Sequence, residues 1–336
     1  MKTLIWADLH GHNFKEFSTQ ELGMNTRLRD QLDVISKITL SAIEYQIDCI
    51  LFLGDLYHLK NNLDSQVIKT ILNHITVLAD EVKEFVVIPG NHDYRMWSSE
   101  PLLLEFLQDY HKRVVVIQEP KWISYGGDKF FAAPFTRRVK ELNDMIANLD
   151  TADPSGSVFL GHQDIIGVNY GGFVVELGLN PDMLSKKFRW SFTGHFHNVL
   201  NVRENVISVG APLQHNFSDV GERRGWWIYE TNMDPIFIEN TFSPKFQDFE
   251  CSDDATEAPG QHDRDFYRVK IKGITPPAAV KKLKWKRVSY EVSSERKERS
   301  VLKFSDSRED IITKYVDARA GELDKKKLIE LGRNYL

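Results

Sequence analysis

The sequence predicts an α/β sandwich, and three observations predict it. Short apolar runs alternate with longer amphipathic segments through the first ninety or so residues. A second set of apolar runs follows between residues 157 and 212. Carboxylates, histidines and an asparagine gather just after these runs rather than inside them.

The runs TLIWAD (3–8), DCILFLGD (48–55), EFVVIPG (84–90), SVFLGH (157–162), RWSFTGH (189–195) and VISVGAP (206–212) read as buried strands. Between the first two, Leu28, Leu32, Ile35, Thr39, Ala42 and Ile43 recur at three- and four-residue steps, the spacing of an amphipathic helix. Val67, Ile71, Leu72, Ile75 and Leu78 repeat it before the third strand. Strand-helix-strand alternation requires crossovers and places helices over a sheet, while the strand-rich stretch that follows predicts a mixed or second sheet. Residues 251–263 lose all periodicity and read as a linker between a body (1–250) and a small α+β lobe (264–336). That lobe contains the strand-like FYRVKIKG and KRVSYEV, then the helical SREDIITKYVDARA and LDKKKLIELGRNYL. No internal repeat and no Walker-type glycine loop occurs, which argues against ATP binding by the chain itself.

With 336 residues, 42% hydrophobic and 11% aromatic, the chain can bury a large core and form more than one domain. No run of eighteen or more apolar residues is present, and Asp8 arrives too early for a signal peptide, so a soluble, cytoplasmic protein with no membrane partner is expected. Two cysteines, Cys49 and Cys251, do not make a disulfide framework. The net charge of −5 is unevenly spread: residues 264–304 hold thirteen Lys and Arg against four Asp and Glu. A basic lobe on an acidic body suits a phosphate-rich ligand; by itself it is equally consistent with a solvated face.

The polar residues after the strands are those of metal ligands. They are Asp8-x-His10, Asp55-x-x-His58, Asn91-His92-Asp93, His162 and His195-x-His197, and they hold six of the eleven histidines. Groups just beyond the carboxyl ends of strands in an open α/β sheet converge on one crevice. Carboxylate, imidazole and amide oxygen together suit Mn²⁺, Fe²⁺ or Zn²⁺, and the absence of cysteine among them argues against a structural zinc site. An offset of two lets Asp8 and His10, or His195 and His197, face one way if the backbone is extended. Glycines 54, 90, 161 and 194 permit sharp turns and close backbone approach beside them. Any one such motif arises by chance, and GNHD alone reads as a turn. Five in order, each ending an apolar strand, would bury several histidines and two aspartates without partners if packing were their only role.

The ordered set D-x-H, GD-x-x-H, GNHD, GH and GH-x-H resembles the calcineurin-like metallophosphoesterase superfamily over roughly the first 245 residues. More narrowly, DCILFLGDLYH and VGAPLQHNFSDVGERRGWWIYE resemble the SbcD-type nuclease subunits of bacteria and phages. The resemblance implies a β-sandwich flanked by helices with a C-terminal capping domain. It implies two divalent ions, Mn²⁺ by preference with Mg²⁺, Fe²⁺ or Zn²⁺ as alternatives, sharing Asp55. Asp8, His10 and His197 would complete one site, and Asn91, His162 and His195 the other. His92 would be the catalytic histidine, His58 would orient the scissile phosphate, and Asp93 would support His92.

The same resemblance implies a homodimer acting on DNA ends, hairpins and single strands in break repair and recombination, with 3′ to 5′ polarity, in the cytoplasm of a bacterial cell or a phage-infected host. An SMC-like ATPase of the SbcC type would be its partner, bound through a helical segment beyond the capping domain; with the sequence ending at Leu336, that attachment is expected to be either compressed into the final helices or absent. His12 departs from the apolar or small residue usual after the first motif, so its role, like that of His215, stays open. His74 reads as a helix residue, and Trp226 and Trp227 as core. A phosphatase or cyclic-nucleotide phosphodiesterase on the same fold, and a DNA-end-binding scaffold, remain as competing functions.

Overall fold

The computed structural model describes residues 1–60, 62–94, 104–150, 156–170, 172–252, 263–272, 277–291, 307–321 and 323–333. Strands β1 (Lys2–Trp6), β2 (Cys49–Phe52), β3 (Glu84–Val87) and β4 (Val114–Val116) lie side by side and parallel. The second sheet contains β5 (Lys121–Tyr125), β6 (Asp128–Ala133), β7 (Ser157–His162), β8 (Trp190–Gly194), β9 (Leu200–Arg203) and β10 (Val206–Ser208) in the order β9-β10-β8-β7-β6-β5. Its inner four strands are parallel and its two edge strands antiparallel. The chain then returns to the first sheet, adding β11 (Gly225–Glu230) and β12 (Ile236–Glu239) antiparallel beside β1.

The inner strands of each sheet are buried on both faces, which is why they carry continuous apolar runs. Ile5, Leu51 and Val86 of the first sheet meet Phe130, Leu160, Phe192 and Ile207 of the second in the layer between them. On the outer side, Leu4, Trp6, Ile50 and Phe52 pack under helices α1 (Thr26–Glu44) and α2 (Ser65–Asp80). Helix α1 starts where the Asn25 side chain accepts the N–H groups of Arg27 (2.9 Å) and Leu28 (3.1 Å); Asp64 does the same for α2. After the short α3 (Glu105–Tyr110), helices α4 (Val139–Ala147) and α5 (Pro181–Lys187) cover the outer face of the second sheet through Leu142, Ile146 and Leu184. The expected α/β sandwich flanked by helices is what forms. Trp226 and Trp227 are buried in it, the latter donating Nε1–H to the Val209 carbonyl at 3.2 Å.

All six expected strands are present, and both long helices. Strands β4, β5, β6, β9 and β12 and helices α3 to α5 were not anticipated; β5, for example, is largely exposed and lacks an apolar run. In the C-terminal part, β13 (Phe246–Ser252), β14 (Phe266–Lys272) and β15 (Lys286–Glu291) make a parallel three-stranded sheet. The boundary expected at residue 250 therefore falls inside β13, which pairs with β14 along its whole length and takes Cys251 into the small core formed with Tyr267, Val269, Ile271, Val280 and Leu283. The rest of the expected linker, 253–262, lies outside the described residues. Helix α6 (Ala278–Lys281) adds Val280 to that core, and α7 (Arg308–Arg319) and α8 (Lys325–Arg333) pack on each other.

The layer between the sheets holds the halves of the molecule together. Phe192→Ala, fully buried there, is expected to cost about 3–5 kcal/mol of unfolding free energy. Leu22→Ala, fully exposed, should stay within about 0.5 kcal/mol; urea titration followed by circular dichroism measures both.

Candidate metal centre

The carboxyl ends of β1, β2 and β3 in one sheet and of β7 and β8 in the other open onto the same rim. Each strand stops and its next few residues turn inward. The turns are sharp: Asp8, His10, Asp55 and His195 all have positive φ (56°, 49°, 61° and 91°), a region uncommon outside glycine and concentrated at functional sites. This corrects the expectation of extended backbone at Asp8-x-His10: both residues are left-handed, and it is the turn that aims the two side chains at one point. Gly54 (φ 93°) passes so close to the Gly90 amide and the His162 ring that any Cβ would overlap them.

All seven expected ligands come together. His10 Nε2 lies 3.0 Å from His197 Nε2, 3.6 Å from Asp55 Oδ2 and 3.9 Å from Asp8 Oδ1. On the other side of Asp55, His162 Nε2 is 3.4 Å from Oδ2. Asn91 Oδ1 is 3.0 Å from both His162 Nε2 and His195 Nδ1. Asp55 thus lies between two groups of donors. Asp8, His10 and His197 bring one ligand atom each within 4.8 Å of one another; so do Asp8, Asp55 and His162, and also His10, His58 and His92.

Electrostatics favour a cation here. Burial pushes the Asp8 carboxyl up to about 8, opposed by His162 and reinforced by nearby Asp55. Burial would raise Asp55 as well, but His162, His10 and His92 hold it well below the usual carboxylate range. In return Asp55 overcomes the effect of burial on His162 and lifts it to about 9. His10 and His197 are driven down by burial, His197 to about 4, which keeps their imidazoles neutral and their ring nitrogens available as ligands. His162 donates Nδ1–H to the Leu53 carbonyl at 2.6 Å, which commits that proton and turns Nε2 toward Asp55 and Asn91. Two buried carboxylates, an amide oxygen and four imidazoles are a donor set that fits divalent cations.

One expectation changes, and two further residues join the site. Asp93 does not support the His92 ring: its carboxylate accepts the backbone N–H groups of Asp55 (2.7 Å), Leu56 (3.0 Å) and Gly90 (2.8 Å), tying the second and third strand ends together. His92 is instead oriented by the His58 carbonyl, to which its Nδ1–H donates at 2.6 Å, and by its own N–H on Asp55 Oδ1 at 2.8 Å. Fully buried, Asp93 meets amides that the tight turns leave unpaired, and these outnumber what the His92 ring could offer. His215 stands behind the cluster, its ring 5.3 Å from that of His10 and 5.0 Å from that of His197, with Nε2–H on the Asp8 carbonyl at 3.0 Å. Asp164, unremarked in the sequence, lies 3.2 Å from His195 Nε2. Its signal was present: GHQD puts an acid two residues after His162, the same offset as Asp8-x-His10. His12 stacks near His58 at 5.4 Å between ring centres, and His74 bonds within its helix to the Thr70 carbonyl.

Residues 1–199, well over half the chain, match the sequence profile of the calcineurin-like phosphoesterases. The chain belongs to the calcineurin-like phosphoesterase family. This phosphoesterase is also similar to the DNA double-strand break repair protein Mre11 of Nanoarchaeum equitans, at 22% identity over 235 residues. That match spans 61% of this chain and 61% of the archaeal protein. Solved structures similar to it include a dimetal phosphatase from Danio rerio (TM-score 0.42, 11% identity, covering 68% of this chain and 91% of that one). A purple acid phosphatase from yellow lupin (Lupinus luteus) seeds is another (TM-score 0.39, 16% identity, covering 64% and 41%). The family uses divalent metals, and the clusters around Asp55 are its candidate binding groups in this chain. Among the described residues, no helix is long and apolar enough to cross a membrane.

A carboxylate on the far nitrogen of a metal-binding histidine orients the ring and raises its basicity. Should His195 hold a divalent cation, Asp164→Ala is expected to weaken that binding by about 10–100-fold, read by isothermal titration calorimetry. Unaltered cation binding would reduce the Asp164 contact to a surface ion pair.

Proposed function

We propose that this phosphoesterase is a two-metal DNA nuclease, with Asp8, His10, Asp55 and His197 holding one ion and Asp55, Asn91, His162 and His195 the other. The observation that carries the reading is Asp55 placed between two donor groups with the His58–His92 pair beside them. Bound divalent cations supply the charge to hold a phosphodiester's oxygens and to lower the pKa of an attacking water.

The chain's own residues divide the remaining work. Asp93 fixes the turns that carry Asp55 and Asn91, so the ligand atoms are positioned before any ion or substrate arrives. His92 has its Nδ1–H committed to the His58 carbonyl, so Nε2 is the nitrogen that meets the leaving oxygen. His58 stacks on the His92 ring (5.8 Å, 22°) and is half exposed. Burial, with His92 and His12 adding, lowers it to about 4, which leaves a neutral ring to hydrogen-bond the scissile phosphate.

DNA as the substrate is supported by the similarity to the archaeal break-repair protein and by the basic C-terminal lobe. Contacts to backbone phosphates would give no base-sequence preference. Mn²⁺ as the ion, 3′ to 5′ trimming with cleavage of single strands and hairpins, a homodimer and an SMC-like ATPase partner of the SbcC type complete the proposal.

Purified protein with Mn²⁺ is expected to cut labelled single-stranded and hairpin DNA; turnover of a chromogenic phosphomonoester alone would refute the nuclease reading. In the same assay His92→Asn should lower the cleavage rate by about 10²–10⁴-fold. Calorimetry should show its two Mn²⁺ equivalents retained, and a variant that cuts normally would remove His92 from the chemistry.

A further inference from the structure

Beside the metal centre, a groove of ≈ 620 Å³ runs between the body and the C-terminal sheet. Phe17, His215 and Phe217 form its body side, and Arg268, Lys270 and Arg287 its other wall. The wall follows from strand periodicity. Along β14, Tyr267, Val269 and Ile271 turn into the small core, so Arg268 and Lys270 face the opposite way. Register places Arg287 of β15 directly beside Arg268, and Ser289 beside Lys270. Three of the cations in the basic stretch thus share one patch.

Rings make the other half of the chemistry. Phe17 and Phe217, both partly exposed, sit 5.6 Å apart and are backed by buried Phe246 and Phe266. Phe17 is held in a left-handed conformation (φ 59°), uncommon for an aromatic residue. The Arg268 guanidinium lies over the Phe217 ring at 4.9 Å. Arg27, at the floor, donates to the His215 carbonyl at 2.7 Å, and the His215 ring in turn packs on His10 and His197. One end of the groove therefore abuts the candidate metal ligands. Carboxylates are present as well. Arg287 pairs with Glu16 at 3.5 Å, both exposed, so a phosphate can displace that pair at little cost. Arg268 (through two 2.6 Å hydrogen bonds) and Lys270 pair with the partly buried Asp248 on β13, and together they carry more N–H groups than one carboxylate can accept, which leaves donors for a phosphate.

We propose that this groove is a subsite for single-stranded DNA: phosphates on Lys270, Arg268 and Arg287, unpaired bases against Phe217 and Phe17, and the strand leading past His215 to the metal centre. Basic walls with interleaved aromatics are the usual platform for unpaired strands, because every base has a face to stack. The volume lies within the range of about 300–1,000 Å³ found for small-ligand clefts, which suits a few unpaired nucleotides. The inference rests on the nuclease reading for its substrate and names which form of DNA the centre receives.

The test uses the full chain with Ca²⁺ in place of Mn²⁺, and fluorescence anisotropy with labelled oligo(dT) and with a blunt duplex. Lys270→Glu/Arg287→Glu, at a partly exposed and an exposed position, should weaken oligo(dT) binding at least about tenfold and flatten its log Kd–log salt slope by roughly 0.7 per lost phosphate contact. Phe217→Ala should weaken it by about tenfold or more with the salt slope unchanged. Mn²⁺-dependent hydrolysis of bis-p-nitrophenyl phosphate should remain at wild-type levels in both variants, and blunt-duplex binding should fall much less than oligo(dT) binding. Unchanged oligo(dT) affinity in both variants overturns the groove; equal losses for duplex and single strand overturn its selectivity for unpaired DNA. If wild-type protein binds oligo(dT) through these residues yet cuts no DNA, the subsite stands and the nuclease reading falls.

Discussion

Asp8 and Asp55 are buried together at a seam between two sheets, and their ion-pair partners are histidines. Two adjacent carboxylates out of water repel each other and lose their hydration, a situation that persists only where cationic charge is brought in. Much of the local structure answers that constraint. Left-handed turns at Asp8, His10, Asp55 and His195 aim the side chains inward, and Gly54 lets the turns approach without collision. Asp93 spends its carboxylate on three backbone amides, so the strained turns are held from below. Around the ligands, Leu53, Asp164 and His215 fix rings or backbone by single hydrogen bonds or ion pairs.

Because the donors come from both sheets, the centre cannot assemble before the sheets have packed. Asp8, His10, Asp55 and Asn91 follow strands of the first sheet; His162 ends a strand of the second, and His195 and His197 follow another. The apolar layer of Ile5, Leu51, Phe130, Leu160 and Phe192 sets their separation. Packing energy far from the rim is thereby converted into placement of ligand atoms, with the close-packed interior giving little freedom to drift.

The C-terminal sheet is attached to the body through groups close to the same rim. Arg264 pairs with Asp30 of α1, and the Arg27 guanidinium lies over Phe14 (4.5 Å), Phe246 (5.2 Å) and Phe266 (5.4 Å). Arg27 is buried, and burial lowers its pKa to about 10, countered by Asp30, Glu16 and Asp219, so it remains a cation at neutral pH. A substrate strand lying between lobe and body would meet residues of both, and the basic lobe and the metal centre would then act on one ligand rather than as separate modules.

The sequence by itself determined the layered α/β architecture and which seven polar side chains the strand ends would gather. Buried strands and amphipathic helices write their burial into local periodicity, and the polar residues fall at their ends. What it did not determine were features made by contacts between distant segments. The left-handed turns at Asp8 and His10, the amides taken by Asp93, the approach of Asp164 to His195 and the place of His215 behind His10 leave no periodic trace. The run of strand β13 across the expected boundary at residue 250, and the meeting of Phe17 and Phe217 with Arg268, Lys270 and Arg287, were likewise decided by tertiary structure. A hydrogen bond or a shared groove depends on where two chain segments meet in space, and that is set only when the sheets and the C-terminal lobe have closed on one another.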